Sequence, residues 1–449
     1  MLFSFSKYIS PTWYFNISSE ASRNIPYFGD YRFLSKQEQS LLDICDKYTT
    51  EEAKVADAAY QAFQKGLISK KCVTVDITEC VDQVTDNYIF IKRYYNPIFL
   101  YYIFVIRVLS FHNLVKEIKG LLIARKVHRV KVYERTFFDL YKKDYSSFHS
   151  SLVTQQPLVS VIIPTLNRYP YLKDVLKDLE LQDYSNIEVI VCDQSEPFEA
   201  SFYEGWKLDL QVFPQKEKAL WLARNQAIKM AKGVFILLFD DDSRVERDWI
   251  TQHLRCIDYF HCDISSGVSL SMVGDKIPET YSYFKWSDQI DTGNVLFYRR
   301  LLHKTGLFDR QFEKQRSGDG EFGLRAYLCG FTNVSNPFAK RIHLKVASGG
   351  LRQMGSWDAL RPKRFFAPRP IPSILYLSRK YFGTRASIFL LIQNIPTSLM
   401  PYKYKKYKWA SVLSLLLCLL FFPVIFIQVC ISWRQSSIKL KQGAIVEQL

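Results

Sequence analysis

Val234 to Phe239 is an unbroken apolar run, and it stops at three consecutive carboxylates, Asp240, Asp241 and Asp242. A strand with no polar alternation is buried on both faces, which calls for a parallel sheet covered by helices on either side. In such sheets ligands bind in the crevice outside the carboxyl ends of the strands, so the aspartates stand where a cleft is expected. Carboxylates so placed suit a hard divalent cation, Mg²⁺ or Mn²⁺, and through it a substrate's phosphates. A solvated acidic turn is the competing reading, because Asp is common in turns and at helix N-caps.

From Leu158 to about Leu344 the chain continues this pattern. Val159–Ile163, Ile187–Cys192 and Leu210–Phe213 read as further strands, and between the first two, Leu172, Val175, Leu176 and Leu179 recur at helical spacing. The expectation is an α/β domain over residues 151–350 with a sheet flanked by helices on both faces. A chain of 449 residues leaves room for other domains, and with 48% apolar residues it is not disordered. The net charge of +16 gathers at Lys116 to Lys143 and Arg361 to Lys408, beside apolar stretches. That distribution favours an anionic membrane surface or phosphorylated substrates over nucleic acid, for which a basic stripe interleaved with stacking aromatics would be expected. Nine cysteines without a CxxC pair suit a reducing compartment. Met1 to Ser10 has no sustained apolar core, so no cleavable signal is expected and the bulk of the chain reads as cytosolic.

Residues 410–433 carry no charge and are dominated by Leu, Phe, Ile and Val, with Lys403, Lys405, Lys406 and Lys408 before them and Arg434, Lys439 and Lys441 after. A bilayer core needs roughly 20 such residues, so a single transmembrane helix is expected there, followed by a short tail, 434–449. The basic segment 351–409 includes an apolar stretch, 386–400, too short to span and suited to the interface. A second aromatic run, 94–111, is interrupted by Asn96, Pro97 and Arg107, and reads as an interfacial or core helix within a helical segment, 86–150. Its basic continuation around Leu121, Leu122 and Ile123 suits a membrane surface or, equally, a solvated helix face. Residues 1–85 contain two capping boxes, Ser35 with Glu38 and Thr49 with Glu52, and a candidate hairpin at Leu67, Ile68, Val73, Val75 and Ile77. This small α+β region resembles a winged-helix domain in pattern, hinting at a peptide or protein partner, with a plain structural domain as the alternative.

The central motifs are more specific. Val159 to Arg168, Ile190 to Ser195, Leu222 to Ala227 and the aspartate triplet resemble, in that order, the family 2 glycosyltransferases. The resemblance covers about 190 residues and implies a glycosyltransferase A fold (Rossmann-like, with a mixed sheet), a nucleoside-diphosphate-sugar donor and a metal held by an Asp-x-Asp motif. It places Pro164, Thr165, Asn167, Arg168, Asp193, Arg224, Asn225, Asp240 and Asp241 at the nucleotide sugar. It also places Asp240 and Asp242 at the metal. Gly293 and Asn294, with Glu321, would lie on the acceptor side. Aligned on Glu321–Phe322, Asp319 takes the position of the general base, and His343 resembles a late metal or diphosphate histidine. One departure is visible, because Gly318 stands where the family often has Glu.

The implied chemistry is sugar transfer with inversion to an acceptor hydroxyl. The candidate membrane helix suggests that the acceptor is a membrane-proximal glycan or lipid-linked saccharide. A nucleotidyltransferase would need a Gly-rich loop after the first strand, and Pro164 to Tyr171 contains no glycine. A membrane-tethered scaffold that binds nucleotide without turnover draws its support from Gly318.

Overall fold

The structure, a computed structural model, describes residues 3–17, 28–68, 81–271, 276–287, 290–346, 349–351, 357–362, 364–404 and 406–449. The candidate hairpin therefore lies outside the described residues from position 69 onward. The chain divides into two compact units. One comprises Met1–Lys143, Ser378–Met400 and Lys408–Leu415; the other comprises Asp144–Leu377, Pro401–Tyr407 and Leu416–Leu449. Labels below are given to helices longer than ten residues.

The first unit is built on α1 (Glu51–Gln64), α2 (Val84–Tyr94), α3 (Ile98–Leu109) and α4 (Leu114–Arg125). Its first capping box forms as expected: the Ser35 hydroxyl accepts from Glu38 N, and the Glu38 carboxylate accepts from Ser35 N. The second is displaced by one residue. Thr50, not Thr49, caps α1 by accepting from Ala53 N, while Thr49 donates through N and Oγ1 to the buried Asp86. Gly66, at φ +87°, follows the end of α1 in a conformation that glycine adopts without a Cβ clash. Inside the unit, Asp57 accepts from the Tyr48 hydroxyl at 2.8 Å and pairs with the fully buried Arg93 at 3.1 Å.

The second unit holds a nine-stranded mixed sheet, with order β3-β2-β1-β4-β8-β6-β9-β5 and β7 paired to β9. Its strands are β1 (Val159–Thr165), β2 (Ile187–Asp193), β3 (Asp209–Pro214), β4 (Phe235–Phe239), β5 (Ser243–Val245), β6 (Ile264–Leu270), β7 (Lys285–Trp286), β8 (Asn294–Tyr298) and β9 (Asn333–His343). β1 to β4 are mutually parallel where they pair, and β8 then runs antiparallel to β4 and β6. The apolar strands are buried on both faces as their composition requires. On one face Ile162, Ile190, Ile236 and Leu238 pack with residues of α6 (Leu220–Met230) and α8 (Gly318–Leu328). Phe239, next along β4, points the other way, its ring centroid 4.5 Å from that of Trp249 at the start of α7 (Trp249–Phe260). α5 (Tyr169–Glu180) buries Leu172, Val175, Leu176 and Leu179, the expected helical stripe.

The expected single helix over 410–433 is not formed. The charge-free run is divided between α10 (Lys408–Leu420) and α11 (Phe422–Gln442), bent by 84° at Phe421; α9 (Pro372–Asn394) precedes them. The reason is Pro423, in the first turn of α11. A proline there cannot donate to Leu419, and its ring excludes continuation of the preceding helix, whereas a helix start tolerates it. Among the described residues no single helix is long and apolar enough to cross a membrane, although the bent pair together is, by length and composition. α11 also buries polar residues at Gln428, Ser432 and Ser436, four apart on one face. Gln428 accepts from Arg369 Nε at 2.8 Å, and Lys439 donates to the Gln311 carbonyl at 2.6 Å, so this helix is hydrogen-bonded into the second unit.

Candidate active site

Strand register gathers the chemistry at one edge of the sheet. Thr165 pairs with Asp193 at the carboxyl ends of β1 and β2, and Ile162 with Leu238 aligns the end of β4 beside them. β8 enters at the same edge, where Phe239 pairs with Asn294. On β5 and β9 the pairing of Ser243 with His343 brings the imidazole next to Asp242.

Three carboxylates in succession repel one another, and three arginines hold them together. Arg224 Nη2 lies 2.9 Å from Asp240 Oδ1, and Arg341 Nη1 lies 2.7 Å from Asp240 Oδ2. Arg168 Nη1 spans Asp241 at 2.9 Å and Asp242 at 3.0 Å. Thr165 Oγ1 donates to Asp241 as well. Burial nonetheless dominates at Asp241, whose carboxyl is pushed up to about 6 despite Arg168. At Asp242 burial is outweighed by the hydrogen bond and charge of His343 and by Arg168, which hold the carboxyl below its ordinary range. His343 Nε2 lies 3.2 Å from Asp242 Oδ1. One ligand atom each from Asp240, Asp242 and His343 falls within 4.8 Å of the others, a spacing and donor set that fit a divalent cation.

Arg341 and Asp291 lie outside the sequence motifs. Arg341 is fully buried, and its Nη2 pairs with Asp291 at 2.9 Å while Nη1 holds Asp240. A signal was present: Arg341 precedes His343 by two along a strand, which puts both on one face of β9. Gly293 lies at this junction, where a methyl group would overlap the Arg341 guanidinium and the Asp240 carboxylate.

Asp193 caps no labelled helix. Its Oδ1 accepts from Ser195 N at 2.8 Å, and its Oδ2 accepts from the hydroxyls of Tyr169 and Tyr203 at 2.7 and 2.8 Å. Phe202 packs on both tyrosines, forming an aromatic wall around the carboxylate. Pro164 is buried within β1. Asn167, in the left-handed region at φ +54°, joins the two loops by accepting from Glu196 N through Oδ1 and donating from its own N to Ser195 Oγ.

Other expected site residues take places inside the fold. The Asn225 amide donates to the Phe308 carbonyl and accepts from Phe308 N, both at 2.9 Å. Asn294 accepts from Trp249 Nε1 and donates to the carbonyls of Val268 and Ala339. Glu321 is fully buried and bidentate with Arg325. Asp319 lies in the first turn of α8, half-buried, with Oδ1 accepting from Gly320 N at 2.9 Å. A side chain at Gly318 would overlap the indole of Trp221, which is stacked on Phe308 with centroids 5.1 Å apart. The space that a Glu would need at position 318 is thus occupied by Trp221.

Residues 160–312 match the protein-family model for glycosyl transferase family 2. This segment is thus similar to the family 2 glycosyltransferases. The chain is similar to the putative glycosyltransferase EpsH of Bacillus subtilis (strain 168), 30% identical over 105 residues, covering 22% of this chain and 30% of that protein. It is also similar to the poly(ribitol-phosphate) beta-N-acetylglucosaminyltransferase TarS of Staphylococcus aureus (strain Mu50 / ATCC 700699), 30% identical over 185 residues, 38% of this chain and 32% of TarS. The matches thus span about a third or less of these two relatives. A crystal structure of S. aureus TarS 1–349 with UDP-GlcNAc overlaps 62% of this chain and 81% of its own, at 18% identity and a TM-score of 0.41. The matched segment carries the sheet edge described above up to Phe312; Asp319 and His343 follow it in the chain.

Proposed function

We propose that the protein is an inverting glycosyltransferase, moving a sugar from a nucleoside diphosphate to a hydroxyl of a membrane-proximal glycan or lipid-linked acceptor. The observation that carries this reading is the alignment of Thr165, Asp193 and Asp240–Asp242 along one sheet edge within a family 2 domain, with His343 set against Asp242. Asp193, walled by Tyr169 and Tyr203, accepts an N–H of the nucleobase. Arg168 and Arg224 are the cations available to the diphosphate, and both already face the acidic triplet. Asp242 and His343 would hold a divalent cation, with Asp240 on it or on the ribose hydroxyls. Two carboxylates with one imidazole suit Mn²⁺ better than Ca²⁺. Such a cation supplies neutralisation of the charge left on the departing diphosphate.

Asp319, exposed enough on the first turn of α8 to meet an acceptor, takes the proton as the acceptor oxygen bonds to the anomeric carbon. The C1–O bond to the diphosphate breaks as the new bond forms, which inverts the configuration. The membrane part of the reading is supported by the bent apolar pair α10–α11 and its flanking lysines, with the glycosyltransferase domain on the cytosolic side.

Titration of UDP and GDP into the purified protein, with and without Mn²⁺, tests the site. Tight binding of one nucleotide should require the cation, and Asp242→Ala should abolish the dependence. Equal affinity with and without Mn²⁺ in the unaltered protein would contradict the proposed metal site.

A further inference from the structure

The α3–α4 hairpin of the first unit has its polarity reversed. α3 buries Leu100, Ile103 and its one charged residue, Arg107, while Ile98, Tyr101, Val105 and Leu109 stand in solvent on the opposite face. The turn that follows exposes 98% of Phe111, and α4 continues with Leu114, Val115, Ile118 and Leu122, Val115 being 75% exposed. Spacings of three and four place these residues on one face of each helix. The polar partners are inside: Arg107 Nη2 is 2.7 Å from Glu117, and Glu117 accepts from the Tyr88 hydroxyl at 2.8 Å. Gly120 lets α4 approach Tyr88, since a methyl group there would stand 2.8 Å from its ring. A helix pair that buries its ion pair and offers isoleucine, valine and leucine outward is matched to an apolar medium.

Charge identifies that medium. Residues 113–135 hold seven Lys and Arg against two Glu, and Glu117 is already neutralised by Arg107. Lys119 lines a shallow apolar groove with Val115, Ile118, Leu122 and Ile123, and Lys126, seven residues on, falls on the same face and is exposed. Lysines set among exposed apolar side chains can extend their ammonium groups to phosphate while the stems stay with the acyl chains. A second copy of the chain is disfavoured, because a two-fold pairing of this face would set these lysines against their own copies.

We infer that the α3–α4 hairpin docks in the plane of an anionic lipid surface, independently of whether α10–α11 spans it. This deepens the proposed membrane-proximal reading by naming the surface that meets the lipid. The test is a solvent-sensitive NBD fluorophore at Val115→Cys in the full chain, with Cys329→Ser and Cys430→Ser to remove the partly exposed and exposed thiols among the described residues, and Cys72→Ser and Cys80→Ser beside them. The same label at Lys177→Cys, on α5, serves as the reference. On vesicles with about 30 mol % phosphatidylglycerol the Val115 label should shift to the blue and be quenched by nitroxide lipids. The effect should be weaker on pure phosphatidylcholine, and Lys119→Glu with Lys126→Glu should reduce it about ten-fold. Emission at Val115 as insensitive to vesicles as at Lys177 would overturn the inference. A blue shift without nitroxide quenching, accompanied by self-association, would overturn it in favour of a protein interface. Nucleotide binding, followed in parallel, reports on the glycosyltransferase reading separately.

Discussion

At the residue scale, the centre balances three carboxylates against three buried or half-buried arginines, Arg341 set by strand register, Arg168 by the turn into α5 and Arg224 by α6. Substituting Asp319 by Asn keeps the side chain's size and its contact with Gly320 N but removes the base. Turnover should fall by about 10² to 10⁴-fold while nucleotide affinity stays unchanged, a contrast read by single-turnover kinetics beside nucleotide titration. Gly318→Ala tests the account of that position in the opposite way, through stability. The added methyl meets the Trp221 indole, so about 1 to 3 kcal/mol should be lost, and Trp221→Leu in the same chain should restore part of it. An unchanged denaturation midpoint in Gly318→Ala would show that the indole yields freely. The arginines and aspartates on either side of the triplet differ in how visible they were. Arg168 and Arg224 fall inside recognisable motifs, whereas Arg341 and Asp291 act through a strand pairing and a loop that no local pattern marks.

At the element scale, unbroken apolar runs were legible because burial on both faces permits no polar alternation. β1, β2 and β4 appeared where the composition placed them, and the partly buried edge strand β3 beside them. Edges that depend on tertiary context were not legible: Thr50 rather than Thr49 caps α1, and both threonine hydroxyls donate to Asp86, which is distant in sequence. The charge-free stretch 410–433 reads as one helix by hydropathy alone, and Pro423 divides it. His253 on α7 gives a further element-level prediction. Its Nε2 faces Asn294 Oδ1, and the Asn294 amide hydrogens are committed to two carbonyls, so Nε2 carries the hydrogen and Nδ1 accepts from Ser265. Burial lowers this histidine from 6.5 to about 4, the two hydrogen bonds only partly opposing it. The unfolded chain therefore takes up the proton first as pH falls. Stability should be unaffected above pH 6.5, decline between 6.5 and 4 by up to about 3 kcal/mol, and level off below 4 as far as this group is concerned. Asp241, raised to about 6, contributes the opposite slope, so the decline is read as the difference between the unaltered chain and His253→Gln in chemical denaturation across that range.

At the scale of the whole molecule, two compact units share one chain. The second carries the segment that matches the family model; the first carries the reversed-polarity hairpin over a core in which Arg93 is wholly buried against Asp57. Arg93→Met would leave that carboxylate without its cation and should cost about 3 to 5 kcal/mol, with Asp57→Asn in the same chain recovering part, as urea denaturation would show. The sheet of the second unit was legible because four motifs occur in order; of the first unit the helices were legible, but not the aromatic and ionic contacts between distant segments that hold them. What unites the parts is the expectation that a sugar is moved from a nucleotide to an acceptor. Release of nucleotide from a panel of UDP- and GDP-sugars by the full chain in detergent, with Mn²⁺ and with chelator, measures this most directly. The structure predicts cation-dependent release from one donor, abolished by Asp242→Ala; nucleotide binding with no release from any donor, even with lipid-linked acceptors added, would contradict it.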